Sequence, residues 1–174
     1  MEYTFETVYD QKAVSAMVRM LRKSLRKKRS RRTHIWGWIV LILAFFLAWP
    51  VEDGVVVIEF RNIVTWLAML VILVVMLFED HINAYIARAR MLNGTEKSVV
   101  TFGSEHFSST LDIGKSEWNY ERILAIAETA DYFVFLFDMN HGQVYAKSSL
   151  TGGTVDQFRD FIETRTGMPV EFVK

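Results

Sequence analysis

Residues 19–51 read RMLRKSLRKKRSRRTHIWGWIVLILAFFLAWPV, and this stretch decides how the chain is organised. Its first part, residues 19–32, carries nine Lys and Arg residues, whereas residues 33–51 contain no Asp, Glu, Lys or Arg. A second run without these four residue types, NIVTWLAMLVILVVMLF, occupies residues 62–78. Because a bilayer core about 30 Å thick needs about 17–25 mostly apolar helical residues, both runs predict transmembrane helices.

The charges around the two runs predict which side of the membrane the termini occupy. Positive residues that flank a span favour the cytoplasmic side. Nine cations precede the first run, while the connecting loop contains Glu52, Asp53 and Glu59 against only Arg61. We therefore expect a transmembrane hairpin with spans at 33–51 and 62–78, an outer loop at 52–61, and both termini in the cytoplasm.

The cations before the first run are expected to contact the membrane surface, where each contributes about 1 kcal/mol of attraction to anionic headgroups. These candidate surface residues are Arg19, Arg22, Lys23, Arg26, Lys27, Lys28, Arg29, Arg31 and Arg32. No nucleic-acid partner is expected, because no recognition fold accompanies the basic run. The predicted partner of this segment is the lipid bilayer.

The segments that flank the hairpin have their own periodicity. In residues 1–32, apolar and polar residues alternate at positions 3–9, which predicts a strand, and helical spacing from residue 11 predicts a basic amphipathic helix that runs towards the first span. Residues 79–97 predict a juxtamembrane helix followed by a turn, because Asn93 and Gly94 end the helical pattern.

Residues 98–174 predict a separate β domain with a closing helix. Its candidate strands are residues 98–102, 106–112, 117–120, 123–129, 132–138 and 143–147. Thr154 and Gln157 form a capping-box pattern, so a final helix is expected to begin there and to end at Gly167. The sequence therefore predicts an α+β membrane protein.

No catalytic or metal-binding constellation is recognisable in the sequence. The chain has no cysteine and four histidines, and no two histidines have the helical spacing of a metal-binding pair. Gly152 and Gly153 lack the spacing of a phosphate-binding loop. Glu128, Asp131 and Asp138 lie at predicted strand ends, where solvated turn carboxylates are common. We therefore expect no enzyme activity, no cofactor and no metal site.

The order of these elements resembles that of the YcxB-like family of bacterial membrane proteins. The motifs that carry the resemblance are Trp118, an apolar strand ending at Glu128, an aromatic strand that begins at Tyr132, and Lys147 before the last helix. Ala146 stands where the family usually has proline. The resemblance implies a C-terminal pleckstrin-homology-like domain whose sheet the N-terminal strand joins, and it supplies no established catalytic residue.

Our leading hypothesis is a non-enzymatic protein of the bacterial inner membrane. It would present its cytoplasmic domain to another protein or to lipid. The alternative is an immunity protein that intercepts a membrane-active toxin or bacteriocin through the hairpin or its outer loop. The identity of the protein partner is open, and so is self-association into a homo-oligomer.

Overall fold

The computed structural model describes residues 2–52 and 55–173 of the chain, so Asp53 and Gly54 of the predicted outer loop lie outside the described residues. The chain forms two compact units. The β unit combines the residues up to 26 with those from 83 onward, and the helical unit consists of residues 27–82. The helical unit is thus inserted between two segments that fold together.

The described residues contain five α-helices and ten strands. The helices are α1 (Gln11–Lys23), α2 (Lys27–Leu47), α3 (Phe60–Leu77), α4 (Glu79–Ala89) and α5 (Val155–Thr166). The strands are β1 (Tyr3–Val8), β2 (Val51–Glu52), β3 (Val55–Val56), β4 (Lys97–Phe102), β5 (His106–Leu111), β6 (Gly114–Asn119), β7 (Ala125–Glu128), β8 (Tyr132–Leu136), β9 (Gly142–Ala146) and β10 (Glu171–Phe172). The chain is therefore an α+β protein, as predicted.

The first four-stranded sheet has the order β1-β4-β5-β6, and all its neighbours are antiparallel. Tyr3 pairs with Phe102 at one end of the β1–β4 ladder, and Val8 pairs with Lys97 at the other. A strand that precedes the helical unit is therefore hydrogen-bonded to a strand that follows it.

The second four-stranded sheet has the order β10-β7-β8-β9. The strands β7, β8 and β9 are antiparallel neighbours, as their short connections predict. The strand β10 pairs with β7 in parallel and lies beyond the strands predicted from the sequence. Its two residues are too few to give a periodic signal.

Aromatic side chains fill the space between α5 and the two sheets. Phe158 of α5 is fully buried, and its ring centroid lies 4.7 Å from that of Phe5, 5.0 Å from that of Phe102 and 5.0 Å from that of Phe133. Such edge-to-face pairs contribute about 0.5–1.5 kcal/mol each beyond their burial. The N-terminal strand, the C-terminal strands and α5 therefore share one core.

The helix predicted to run from residue 11 towards the first span is interrupted. Asp10 caps α1, because its Oδ1 accepts a hydrogen bond of 2.8 Å from the backbone N–H of Ala13. The helix ends at Lys23, where the N–H of Ser24 still bonds the carbonyl of Met20, and α2 begins at Lys27. The predicted basic amphipathic helix is thus divided between two helices.

A tertiary contact accounts for this break. Arg26 donates hydrogen bonds to the carbonyl of Met139, at 2.7 Å, and to the side-chain oxygen of Asn140, at 2.5 Å. Both acceptors lie in the turn between β8 and β9. Since these partners are distant in sequence, helical periodicity alone gives no sign of them.

In the helical unit, α2 and α3 pack antiparallel. Asn62 near the start of α3 donates a hydrogen bond of 3.0 Å to the carbonyl of Ala48, which follows α2. At the opposite end, Gly37 approaches Met76 so closely that a β-carbon at residue 37 would lie 2.6 Å from the Met76 sulfur. The strands β2 and β3 form a two-stranded antiparallel ladder between the helices.

Only α3 has the length and composition of a membrane-crossing helix among the described residues, and 6% of its residues are buried. The helix α2 differs because its first turns contain Lys and Arg, and because it ends at Leu47 rather than near residue 51. Its uncharged part, residues 33–47, is about 22 Å long at 1.5 Å per residue. The predicted pair of membrane spans is therefore not confirmed and stays a prediction.

Candidate binding site

A buried carboxylate connects three elements of the β unit. Glu128 ends β7, and its side chain is 5% exposed. Its Oε1 lies 2.6 Å from the Lys147 ammonium, which belongs to the turn after β9. The guanidinium of Arg159 on α5 donates from Nε to Oε2, at 2.6 Å, and from Nη2 to Oε1, at 2.8 Å. A buried ion of this kind is tolerable only when it is paired in this way.

Lys147 also closes the turn between β7 and β8. Its ammonium donates to the carbonyl of Thr129, at 2.5 Å, and to that of Ala130, at 3.3 Å, in addition to the bond with Glu128. The ring of Phe133 lies beneath the ammonium, 5.3 Å from it. These contacts fix the ammonium in one position, so Lys147 is a structural cation rather than a mobile one.

The protonation of this cluster follows from the same contacts. Hydrogen bonds from Arg159 lower the pKa of Glu128, burial opposes this effect, and the bond from Lys147 adds to the lowering. The bonds to Glu128 and Asp156 raise the pKa of Arg159 above its already high ordinary value. Glu128 is therefore anionic at neutral pH and is poorly suited to proton transfer.

A polar cleft of about 740 Å³ lies beside the cluster. Its lining residues come from the start of α1, the β7–β8 turn and the turn after β9, and they are Asp10, Lys12, Ala130, Asp131, Tyr132, Ala146, Lys147, Ser148 and Val155. Burial raises the pKa of the Tyr132 hydroxyl, and the charges of Asp10 and Asp131 raise it further. The phenol therefore stays neutral and can donate a hydrogen bond.

The cleft combines acidic, basic and hydroxyl side chains. Carboxylates of Asp10 and Asp131, the ammonium of Lys12 and the Tyr132 hydroxyl offer charges of both signs together with hydrogen-bonding groups. No histidine or cysteine lines it, and the described residues contain no group of three or more His, Cys, Asp and Glu that could hold a metal ion. In comparisons with known proteins, the chain matches no family model, no curated protein and no solved structure.

The structure brings together three of the four positions singled out by the family resemblance. Glu128 and Lys147 form the ion pair, and Tyr132 lines the adjoining cleft. Trp118 lies instead in β6 of the other sheet, where its ring stacks on Phe137 with centroids 5.0 Å apart. Of the four positions, Trp118 therefore packs in the other sheet, and the other three lie around the β7–β8 turn.

Sequence reasoning missed Arg159. The expectation that Glu128 is a solvated carboxylate at a strand end is wrong, because its side chain is 5% exposed and is paired with two cations. A buried carboxylate needs a cation nearby, because an unpaired buried charge is costly. The sequence contains twenty Lys and Arg residues, however, and nothing in the periodicity of α5 selects one of them. Only the packing of Phe158 into the core brings the next residue against Glu128.

Other residues considered as candidates have local structural roles. Asp138 accepts hydrogen bonds from the backbone N–H of Asn140, at 2.6 Å, and of His141, at 2.8 Å, and its other oxygen lies 2.6 Å from the His141 ring. Gly152 has a φ of +91° and lies against the backbone of Glu2, so its missing side chain permits a close chain approach.

The nine basic residues before and within α2 are divided between the β unit and the start of α2. Arg26 is bound to the β8–β9 turn. Exposed cations at the start of α2 are Lys27, Lys28, Arg29, Arg31 and Arg32. Arg19, Arg22 and Lys23 lie on α1 in the β unit. The nine predicted surface residues therefore do not form one continuous helical face.

We predict that Glu128→Gln destabilises β7 and α5 at neutral pH by about 3 kcal/mol. This is the low end of the usual cost of breaking a buried ion pair, because Arg159 is partly exposed. The folded pKa of Glu128 lies below its ordinary value of 4.5, so its stabilising effect is complete above that value and is lost as the pH falls through the folded pKa. The difference between variant and wild type should therefore narrow below about pH 4.5.

Hydrogen–deuterium exchange of β7 and α5 peptides, corrected for intrinsic exchange rates at each pH, measures this difference. The matched control is Asp156→Asn. Asp156 is the second carboxylate partner of Arg159, and its side chain is 82% exposed. Its expected cost is below about 1 kcal/mol. Equal costs for the two variants, or a difference that does not depend on pH, would contradict the assignment.

Proposed function

We propose that the protein is a non-enzymatic protein of the bacterial inner membrane. In this proposal α2 and α3 cross the bilayer as a hairpin, both termini lie in the cytoplasm, and the β unit is a pleckstrin-homology-like module that binds a protein partner through its polar cleft. The observation that carries the proposal is the pairing of β1, which precedes the hairpin, with β4, which follows it.

The surface of α2 and α3 supports lipid as their surroundings. Large apolar side chains that are more than half exposed include Trp36, Leu43, Phe46, Leu47, Phe60, Leu67, Leu70, Val71 and Leu77. A helix in the core of a water-soluble protein buries such side chains, whereas only 6% of the residues of α3 are buried. Each large apolar side chain left in water forgoes about 1.5–3 kcal/mol, and lipid removes that cost.

The fold of the β unit supports an even number of crossings. Val8 and Lys97 are partners in one ladder, so they lie on the same side of any membrane. If α3 crossed alone, β1 and β4 would be on opposite sides and could not pair. The helix α2 must then cross with α3 despite its short uncharged part, and the long side chains at its start can extend to the headgroups.

The orientation follows from the residues at the two ends of the hairpin. Exposed cations at the start of α2 favour the cytoplasm for that end. Trp36 and Trp38 follow these cations, and Trp49 and Trp66 lie near the other end, as is typical of aromatic residues at the two membrane boundaries. The β unit therefore belongs to the cytoplasmic side.

A pleckstrin-homology-like module is supported by the order of elements after the hairpin. The consecutive strands β4, β5 and β6 are antiparallel neighbours in the first sheet, and β7, β8 and β9 are antiparallel neighbours in the second. The helix α5 follows them and inserts Phe158 into their core. The strand β1 then extends the first sheet. Fold alone leaves the ligand of such a module open, so the binding role is argued from the cleft.

The charges of the cleft favour a protein partner over anionic lipid. Asp10 and Asp131 both line it, and their carboxylates would repel the phosphate of a lipid headgroup. A polypeptide segment with basic and polar side chains complements these carboxylates as well as Lys12 and Tyr132. The paired ions of Glu128 hold the cleft wall in place before the partner arrives.

Because the chain has no cysteine, single introduced cysteines report its topology without a background. A membrane-impermeant maleimide should label Val57→Cys, between β3 and α3, in intact spheroplasts. It should label Glu105→Cys, in the exposed turn before β5, only after the membrane is permeabilised. Labelling of both positions in intact spheroplasts, or release of the protein by alkaline carbonate, would rule out the proposed placement.

The cleft can be tested with a photo-reactive benzoylphenylalanine at Ser148, an exposed cleft residue. In living cells it should give a discrete cross-linked product that the charge reversal Asp131→Lys reduces at least fivefold. The same label at Thr164, on the exposed surface of α5, is the control and should give no such product. A product at Ser148 that is indifferent to Asp131→Lys, or no product at all, would argue against the cleft as the docking site.

A further inference from the structure

A second cavity of the β unit differs in character from the polar cleft. It has a volume of about 410 Å³ and lies between α1, the end of α4 and the neighbouring strands. Apolar side chains that line it come from α1, from the end of α4 and the residues after it, and from β5, and they are Val14, Met17, Ala87, Met91 and Leu111. Such a size and such a lining are typical of sites for small apolar ligands.

We propose that this cavity, called the apolar pocket, binds the acyl chain of a single-chain amphiphile such as a fatty acid. Two flexible methionines line it, Met17 from α1 and Met91 from the residues after α4, and such side chains adapt to a ligand of variable shape. The Tyr9 side chain is partly buried against the neighbouring core of the β unit. The Tyr9 ring therefore serves as part of the wall.

Polar groups at the rim of the apolar pocket suit the head of an amphiphile. His141 and Gln143 both line the pocket, and the His141 side chain is 76% exposed. The Nδ1 atom of His141 lies 2.6 Å from an Asp138 carboxylate oxygen, so this edge of the ring already has a partner. Since Arg26 binds the same turn through Met139, the rim is fixed before a ligand binds.

The proposal that the bilayer supplies this ligand rests on the proposed membrane function. Met17 precedes the first residue of α2 by ten positions, and Ala87 follows the last residue of α3 by ten. The two opposing walls are thus the chain segments that lead into and out of the apolar hairpin. A protein anchored in a bilayer is continuously supplied with amphiphiles, whereas a side chain from a partner protein would need a complementary protein surface.

The test uses palmitic acid that carries a diazirine in its chain, added to the full-length protein in lipid nanodiscs. After illumination, mass spectrometry locates the adducts. We expect adducts on peptides that contain Met17 or Met91, and also on α2 and α3, which report contact with the bilayer. Ala87→Trp, which fills the apolar pocket, should lower the pocket adducts at least fivefold and leave the hairpin adducts unchanged.

Two further variants make the result decisive. Ala89→Trp places the same side chain on the exposed face of α4 and should retain the pocket adducts. Met17→Trp fills the pocket from α1 and should lower the pocket adducts in the same way. It replaces Ala87→Trp as the test if Ala87→Trp folds poorly. Labelled helices without labelled pocket peptides, or pocket adducts that survive both filling variants, would overturn the apolar pocket alone. Absence of adducts on α2 and α3 would instead overturn the proposed membrane hairpin.

Discussion

The hydrogen-bonded ladder between β1 and β4 is the constraint on which the architecture depends. It joins the chain before the helical unit to the chain after it, so the helical unit is an insertion between two segments of one folded unit. Phe5 and Phe102 extend this connection into the core, where both rings meet Phe158. In the proposed membrane arrangement, this pairing requires α2 to cross the bilayer together with α3, although the apolar part of α2 is short.

The ion cluster at Glu128 likewise connects distant parts of the chain, here at the second sheet. The carboxylate at the end of β7 binds the turn after β9 and α5, through cations that lie 19 and 31 residues further along the chain. Such a cluster contributes little net free energy compared with an apolar core, because desolvation offsets most of the attraction. Its value lies in geometry, since it keeps the β7–β8 turn and the adjoining polar cleft in one arrangement.

The sequence predicts most of the β unit because its signals are local. Alternation in β1, the short β7–β8 connection, and the capping pair of Thr154 and Gln157 each specify structure within a few residues. The capping box is present as predicted, with Gly167 in the left-handed conformation at the end of α5.

What sequence reasoning missed depends on contacts between distant residues. The break between α1 and α2 is stabilised by Arg26 bonding to the β8–β9 turn, and Arg159 reaches Glu128 only through the packing of α5. The short parallel strand β10 needs β7 as its template. At the candidate site, Glu128, Tyr132 and Lys147 are named only through the family resemblance. The cleft itself is lined by residues from three separate parts of the chain and cannot be predicted from any one of them.

The most direct test of the central claim is oxidative cross-linking of Glu6→Cys with Val99→Cys, which are partners in the β1–β4 ladder of a chain that has no other cysteine. The measurement is made on protein retained in membranes after an alkaline carbonate wash. We expect an intrachain disulfide in the retained protein, because the proposed arrangement places both strands on one side of the bilayer with their side chains as neighbours. Cysteines that stay reduced in the retained protein but form the disulfide in released protein would contradict it.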